Sequence, residues 1–174
     1  MKLTFLGTGA ADYNWNNYGA DNILGSTMTL LGDDILLDCG PTATRSMHRF
    51  NVDIRNIRAI VNTHSHSDHL NIDEVRRIAD GRKINFYGSR QACNLVSDFC
   101  NVHPLNFARK FKIGKFSFLT LPANHAVTNL KEETFNYLIS DGEKNILYAN
   151  TCCDEKTRKT YFKYVTRFAC GKSL

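Results

Sequence analysis

The segment Thr63-His64-Ser65-His66-Ser67-Asp68-His69 puts three imidazoles and one carboxylate within six residues. Imidazole suits zinc, iron, nickel and copper, and a carboxylate beside it adds a hard oxygen donor. His64 and His66 stand two apart, so in extended backbone their side chains leave on the same side. Asp68 and His69 come where the chain must turn and can approach from another direction. That arrangement suits two metals sharing a solvent molecule. The plain alternative is a polar surface loop. A lone histidine would fit that description; H-x-H-x-D-H does not.

Such a cluster needs elements that hold it. Residues 58–62 are an apolar run of strand length that leads straight into the motif, and they read as a buried strand. Asn71 then offers an N-cap with Glu74 three residues on, as in a capping box, and Ile72, Val75, Ile78 and Ala79 give the buried face of the helix. A strand-to-helix loop of this kind can turn several side chains toward one point. Upstream, residues 2–6 form a strand ended by Gly7-Thr8-Gly9, and residues 12–25 carry loop chemistry. Residues 26–31 and 35–38 are predicted to pair across Gly32-Asp33-Asp34, with a helix from Pro41 to about Phe50. Downstream, residues 84–87 are a strand and Ser89 caps a helix to about Cys100, with Cys93 and Cys100 on one buried face. Residues 106–121 form two strands around Ile113-Gly114, and 135–140 pairs with 145–149 across residues 141–144. Strands, then alternating strands and helices, then strands again read as an α/β (α+β) fold.

The bulk properties exclude several classes. With 43% hydrophobic and 22% charged residues in 174, the chain can build a core and is not disordered. No apolar stretch reaches about 18 residues, so no membrane partner is expected. The opening MKLTFLGTGAAD imitates a signal peptide, but its apolar run is short and broken by Gly7 and Gly9, so a cytoplasmic location is expected. The six cysteines include no C-x-x-C pair, so they spell no zinc ribbon or thioredoxin-like motif. The net charge is +5, and residues 154–174, with six Lys/Arg and two Asp/Glu, supply +4 of it.

H-x-H-x-D-H after an apolar strand resembles the signature of the metallo-β-lactamase fold. The opening Leu6-Gly7-Thr8-Gly9-Ala10-Ala11 and Leu36-Leu37-Asp38-Cys39-Gly40 strengthen the likeness, toward the branch of ribonuclease Z and the cyclic phosphodiesterase of phosphonate breakdown. The resemblance covers about residues 1–150. It implies an αββα sandwich with metals at one edge of the sheets. It implies that His64 and His66, with one later histidine, hold a first metal, and that Asp68 and His69 belong to a second. His125, after a strand, matches the later histidine. Asp38 matches a family aspartate that orients the loop from behind the ligands; a turn residue is the alternative reading. His48 and His103 match nothing and read as surface or packing residues.

The likeness breaks late. The family's last hairpin resembles L-Y-A-T-D-T, whose aspartate bridges the metals. Here Ile146-Leu147-Tyr148-Ala149 runs into Asn150-Thr151-Cys152-Cys153, so Thr151 aligns with that aspartate and Asp154 comes three residues late. No histidine follows His125. The expected organisation is a partial domain over 1–150, lacking much of the second half of the sandwich, and a divergent basic tail over 151–174. Truncation or a frame shift near residue 150 would produce this, as would a short variant completed by a partner chain; an open strand edge would favour pairing with a second copy.

Three functions follow as expectations. The first is a metal-dependent hydrolase of a phosphodiester, with Zn2+ in one or two sites (Mn or Fe as alternatives) and Asp68 holding the second metal and orienting the nucleophile. Metals bring the pKa of bound water from about 15.7 toward about 7. A small phosphodiester or nucleotide is the first substrate expectation. RNA is second, since residues 1–153 are near neutral and offer no large basic surface. The second function is a metal-binding member without hydrolase activity. The third is a nucleic-acid module using Tyr161, Phe162, Tyr164 and Phe168 among the tail's basic residues; an amphipathic helix packing Tyr161, Val165 and Phe168 on the core, or a disordered tail, is the alternative.

Overall fold

The computed structural model describes residues 1–9, 14–19, 24–123, 125 and 132–149. Thr151, Asp154 and the rest of the 151–174 tail, and parts of the 12–25 loop, lie outside the described residues. The chain divides into two compact units, residues 1–104 and the part from Leu105 onward.

The first unit is a six-stranded sheet with three helices. Its strands are β1 (Leu3–Gly7), β2 (Met28–Leu31), β3 (Ile35–Leu37), β4 (Ala59–Val61), β5 (Asn85–Gly88) and β6 (Asn101–Pro104), in that spatial order. β1, β2 and β3 pair antiparallel, and β2 and β3 are joined by the expected tight turn, with Gly32 at φ 65°. From β3 to β6 the pairing is parallel. Parallel neighbours need a crossover, and the crossovers are α1 (Ala43–Arg49), α2 (Ile72–Ala79) and α3 (Arg90–Val96). The central strands are apolar runs rather than alternations: all residues of β2, β3 and β4 are buried. Parallel strands of α/β folds commonly read as such apolar runs. Leu30, Leu36, Ile60 and Phe86 cluster with Met47 of α1, Val75 and Ile78 of α2 and Val96 of α3. Each such side chain contributes about 1.5–3 kcal/mol by leaving water.

Helix α2 starts as the sequence requires, with the Asn71 side chain accepting from the Glu74 N–H at 3.0 Å. The capping box is only half made, however. The Asn71 N–H is taken by the Cys39 carbonyl at 2.7 Å. The Glu74 carboxylate turns to α1 instead, where it accepts from the Thr44 N–H at 2.6 Å and the Thr44 hydroxyl at 2.7 Å, and from Arg77. Glu74 therefore caps α1. Thr42, just before α1, makes no side-chain cap; its hydroxyl is engaged by the Ser26 N–H at 2.9 Å and by the Ser26 and Ser46 hydroxyls.

Arg82 secures the far end of α2. All three guanidinium nitrogens reach backbone carbonyls: Nε to Ala79 at 3.2 Å, Nη1 to Arg55 at 2.7 Å and Ile57 at 3.3 Å, and Nη2 to Ile54 at 3.2 Å and Ile78 at 2.6 Å. A cation on the last carbonyls of a helix also suits its dipole. Arg82→Met, which keeps much of the aliphatic stem, is expected to cost about 2–4 kcal/mol through these lost charge-assisted bonds. Urea unfolding would read this as a lowered midpoint at constant slope, and an unchanged midpoint would refute it.

Two expectations in this unit need correction. The helix capped by Ser89 ends at Val96 and does not reach Cys100; Cys100 is buried but lies beyond the helix, its N–H on the Val96 carbonyl. Residues 101–104 form β6, which the sequence reading lacked. β6 is an exposed edge with no apolar alternation, so its only signal is pairing with β5 (Asn85↔Asn101, Phe86↔Val102), and that partner is distant in sequence. Pro104 is tolerated because it ends an edge strand.

The second unit is an antiparallel sheet of β7 (Lys110–Ile113), β8 (Phe116–Pro122), β9 (Phe135–Ser140) and β10 (Asn145–Tyr148), in the order β10-β9-β8-β7. The hairpins fall where expected. Gly114 takes φ 57° between β7 and β8, and Asp141 accepts from the Glu143 and Lys144 N–H groups in the β9–β10 turn. Phe118, Phe135, Tyr137 and Ile139 are fully buried, with the rings of Phe118 and Tyr137 edge to face at 6.4 Å.

Candidate metal centre

β3 and β4 lie side by side and run the same way, with Leu37 opposite Val61. Both strands therefore release their chains at the same end. Asp38 leaves one and Asn62-Thr63 the other. Ligand sites of open α/β sheets form at such carboxyl ends. The two exits are then tied together: Asp38 N–H to Val61 O at 3.0 Å, Cys39 N–H to His69 O at 2.9 Å, and Asn71 N–H to Cys39 O at 2.7 Å. The motif loop is thus held at both its start and its end by residues 38–39.

Asp38 is the centre of that tie. It is fully buried and takes a left-handed backbone with φ 62°, which aspartate tolerates better than most residues. Its Oδ1 accepts from the Thr63 N–H at 2.7 Å and the Asn62 amide at 3.1 Å; its Oδ2 accepts from His69 Nδ1 at 2.9 Å. Of the two sequence readings, the one that orients the loop holds and the plain turn residue does not. A histidine ligand whose other nitrogen donates to a carboxylate is fixed in tautomer and ring orientation.

Four of the five predicted ligands come together within this unit. His64, Asp68 and His69 are buried, and His66 is half-buried. His64 Nε2 and His66 Nδ1 stand 3.1 Å apart, and Asp68 Oδ2 and His69 Nε2 stand 3.4 Å apart. The rings of His64 and His69 are neighbours, with centroids 4.2 Å apart. Donors on one zinc at about 2.0–2.1 Å stand roughly 3.0–3.4 Å from each other, so each pair fits a shared cation. With His69 Nδ1–H donating to Asp38, the neutral ring leaves Nε2 without a proton toward Asp68. Burial works against a protonated His69, but the charge of Asp38, its hydrogen bond and then Asp68 outweigh it, and the pKa is raised above the ordinary histidine value. A proton and a metal therefore compete for this ring.

His125 belongs to the second unit. It comes three residues after β8, where Thr134 holds the segment: the Thr134 hydroxyl reaches the carbonyls of Ala123 at 2.8 Å and His125 at 3.3 Å. His48 is exposed on α1. His103 is exposed on β6, stacks on Tyr87 with ring centroids 4.4 Å apart, and meets Asn85 Oδ1 at 2.9 Å, so both keep the surface or packing role expected. The described cysteines offer no thiolate. Burial pushes the Cys93 and Cys100 thiols up to about 11, and burial, then Glu74 and Asp38, raise Cys39 well above the ordinary thiol value. Thr63 and Gly40 were given no role of their own in the sequence. Thr63 could have been suspected, since it is the one hydroxyl between the buried strand and the first ligand.

The fold finds counterparts among known proteins. A sequence family described as anti-Pycsar protein Apyc1 matches residues 1–75. Over 89 residues the chain is 30% identical to the anti-Pycsar protein Apyc1 of Bacillus phage vB_BsuM-Goe3, covering 48% of this chain and 33% of that protein. It is 29% identical over 107 residues to ribonuclease Z of Methanococcus maripaludis, covering 59% of this chain and 33% of that one. The matched part thus spans about a third of the length of these curated relatives. Solved structures are similar as well, among them the following three. The metallo-β-lactamase fold protein YhfI from Bacillus subtilis has a TM-score of 0.66 at 17% identity, covering 84% of this chain and 62% of that one. Zinc-bound PqqB from Methylobacterium extorquens has 0.68 at 14%, covering 91% and 68%. The short form of human tRNase Z has 0.64 at 18%, covering 84% and 68%. This chain has the metallo-β-lactamase fold.

Proposed function

We propose that the protein is a metal-dependent hydrolase that cleaves a phosphodiester bond. The observation that carries this reading is the pairing of donors at the ends of β3 and β4: two pairs at metal-sharing distance, backed by one buried carboxylate. In this reading His64, His66 and His125 hold the first metal, and Asp68 and His69 the second. His125 is assigned from its place just past β8, at the spacing the family likeness implies. Zinc is the proposed metal, as histidine with carboxylate is a common zinc set. Bound there, it would supply hydroxide at neutral pH from acidified water. Asp68 would orient the attacking oxygen, and His64, His66 and His69 would offer ring nitrogens to the metals.

The similarity to proteins named ribonuclease Z and tRNase Z supports a phosphodiester. The near-neutral residues 1–153 favour a small one, such as a cyclic nucleotide, over a long RNA. No described helix is long and apolar enough to cross a membrane, and a cytoplasmic site of action is proposed with the substrate.

One sequence feature favours a second reading, metal binding without turnover: Thr151 aligns where the family's bridging aspartate stands, and a neutral hydroxyl cannot replace a carboxylate between two cations. Metal analysis of protein purified without added metal separates the two. About two ions per chain, with turnover of bis(p-nitrophenyl) phosphate or cyclic nucleotides, supports the hydrolase. At most one ion and no turnover supports the inactive form. His66→Ala and His125→Ala are each expected to remove most of the first-site metal; unchanged content in both would refute the ligand assignment.

A further inference from the structure

The Thr63 hydroxyl lies 3.0 Å from each oxygen of Asp38, 3.0 Å from His64 Nδ1 and 3.4 Å from His69 Nδ1. A hydroxyl has one proton to give and two lone pairs to offer, and a carboxylate only accepts. The Thr63 proton therefore points to Asp38. What remains toward His64 is a lone pair, so the 3.0 Å contact needs a proton on His64 Nδ1. That leaves His64 Nε2 bare, facing His66 Nδ1 at 3.1 Å. In water a neutral histidine more often carries its proton on Nε2, so the site must impose the other form.

We propose that Thr63 is a positioning residue that transmits the Asp38 carboxylate to His64 and fixes that ring in its Nδ1–H tautomer. One buried carboxylate then sets two rings: His69 directly, and His64 through the Thr63 hydroxyl. Both rings present Nε2, one toward His66 and one toward Asp68. The Thr63 main chain reinforces the geometry, because its N–H also donates to Asp38 Oδ1 at 2.7 Å and holds the hydroxyl against the carboxylate. The consequence for metal binding rests on the proposed metal centre; the tautomer does not.

The test uses the full chain with 15N-labelled histidine, stripped of metal by chelation and read by long-range 1H–15N spectra at a pH where the rings are neutral. Wild type and Thr63→Ser are expected to show His64 protonated on Nδ1. Thr63→Val, which keeps the shape and loses the hydroxyl, is expected to move that proton to Nε2 and to weaken zinc binding about 10- to 100-fold. Thr63→Ser is expected to restore binding to within a few-fold of wild type. Protonation on Nε2 in wild type, or an unchanged tautomer in Thr63→Val, would overturn the proposal; the wild-type spectrum alone decides it if the valine variant does not fold. Zinc binding absent from wild type would count against the metal centre and leave the tautomer result to judge Thr63 by itself.

Discussion

Asp38→Asn is expected to lose the second metal while the His64–His66 pair still binds one. Asparagine keeps one acceptor oxygen for the Thr63 N–H and tolerates the left-handed backbone at φ 62°. It puts an amide where Oδ2 stood, however, against His69 Nδ1 at 2.9 Å. Two donors cannot face each other, so His69 must carry its proton on Nε2, the atom that meets Asp68 at 3.4 Å. Affinity at that position should fall about 10- to 100-fold. Stability should fall about 1–3 kcal/mol, as a buried donor loses its partner. Asp38→Ala should cost more, about 3–5 kcal/mol, because it strands several buried groups at once and adds strain at a positive φ. Isothermal titration with zinc and urea unfolding give both quantities. An asparagine variant with two ions per chain and wild-type affinity would show that the carboxylate does not set the His69 ring.

The parts of this molecule legible in the sequence are those whose signal is local. Asn71 three residues before Glu74, Ser89 before α3, and Gly114 and Gly142 in their hairpins carry their own backbone instructions, and each sits where it was expected. The clustering of His64, His66, Asp68 and His69 was legible for the same reason, since they are adjacent in the chain. What could not be read depends on pairing between distant segments. β6 is polar and exposed, and only β5 makes it a strand. Glu74 looked committed to its own helix, but the Cys39 carbonyl occupies the Asn71 N–H and Thr44 offers two better donors. Asp38 was ambiguous because a turn aspartate and a loop-orienting aspartate have the same local sequence. The parallel register of β3 on β4 decides between them by putting residues 38 and 63 side by side.

The same register makes Gly40 the most size-sensitive position near the site. A Cβ there would lie 2.1 Å from the Asp68 carbonyl oxygen and 2.6 Å from the Ser26 side chain. Gly40 has no positive φ, so the constraint is space and not backbone conformation. Gly81 is the reverse case: φ is 74° and nothing lies within 4 Å of an added Cβ. Gly81→Ala is expected to cost about 1–2 kcal/mol of left-handed strain and to leave metal content unchanged. Gly40→Ala must move backbone, because the 2.1 Å contact is with a carbonyl and not a flexible side chain. The atom it displaces belongs to the residue that carries one donor of the second pair, and the ladder from Cys39 to His69 and Asn71 goes with it. A loss of about 3 kcal/mol is expected, with the second metal absent and turnover abolished. Metal analysis of the two variants side by side separates space from strain. If Gly40→Ala retains the wild-type stoichiometry while Gly81→Ala shows its predicted strain, the close approach of residues 38–40 to the motif does not position the Asp68–His69 pair.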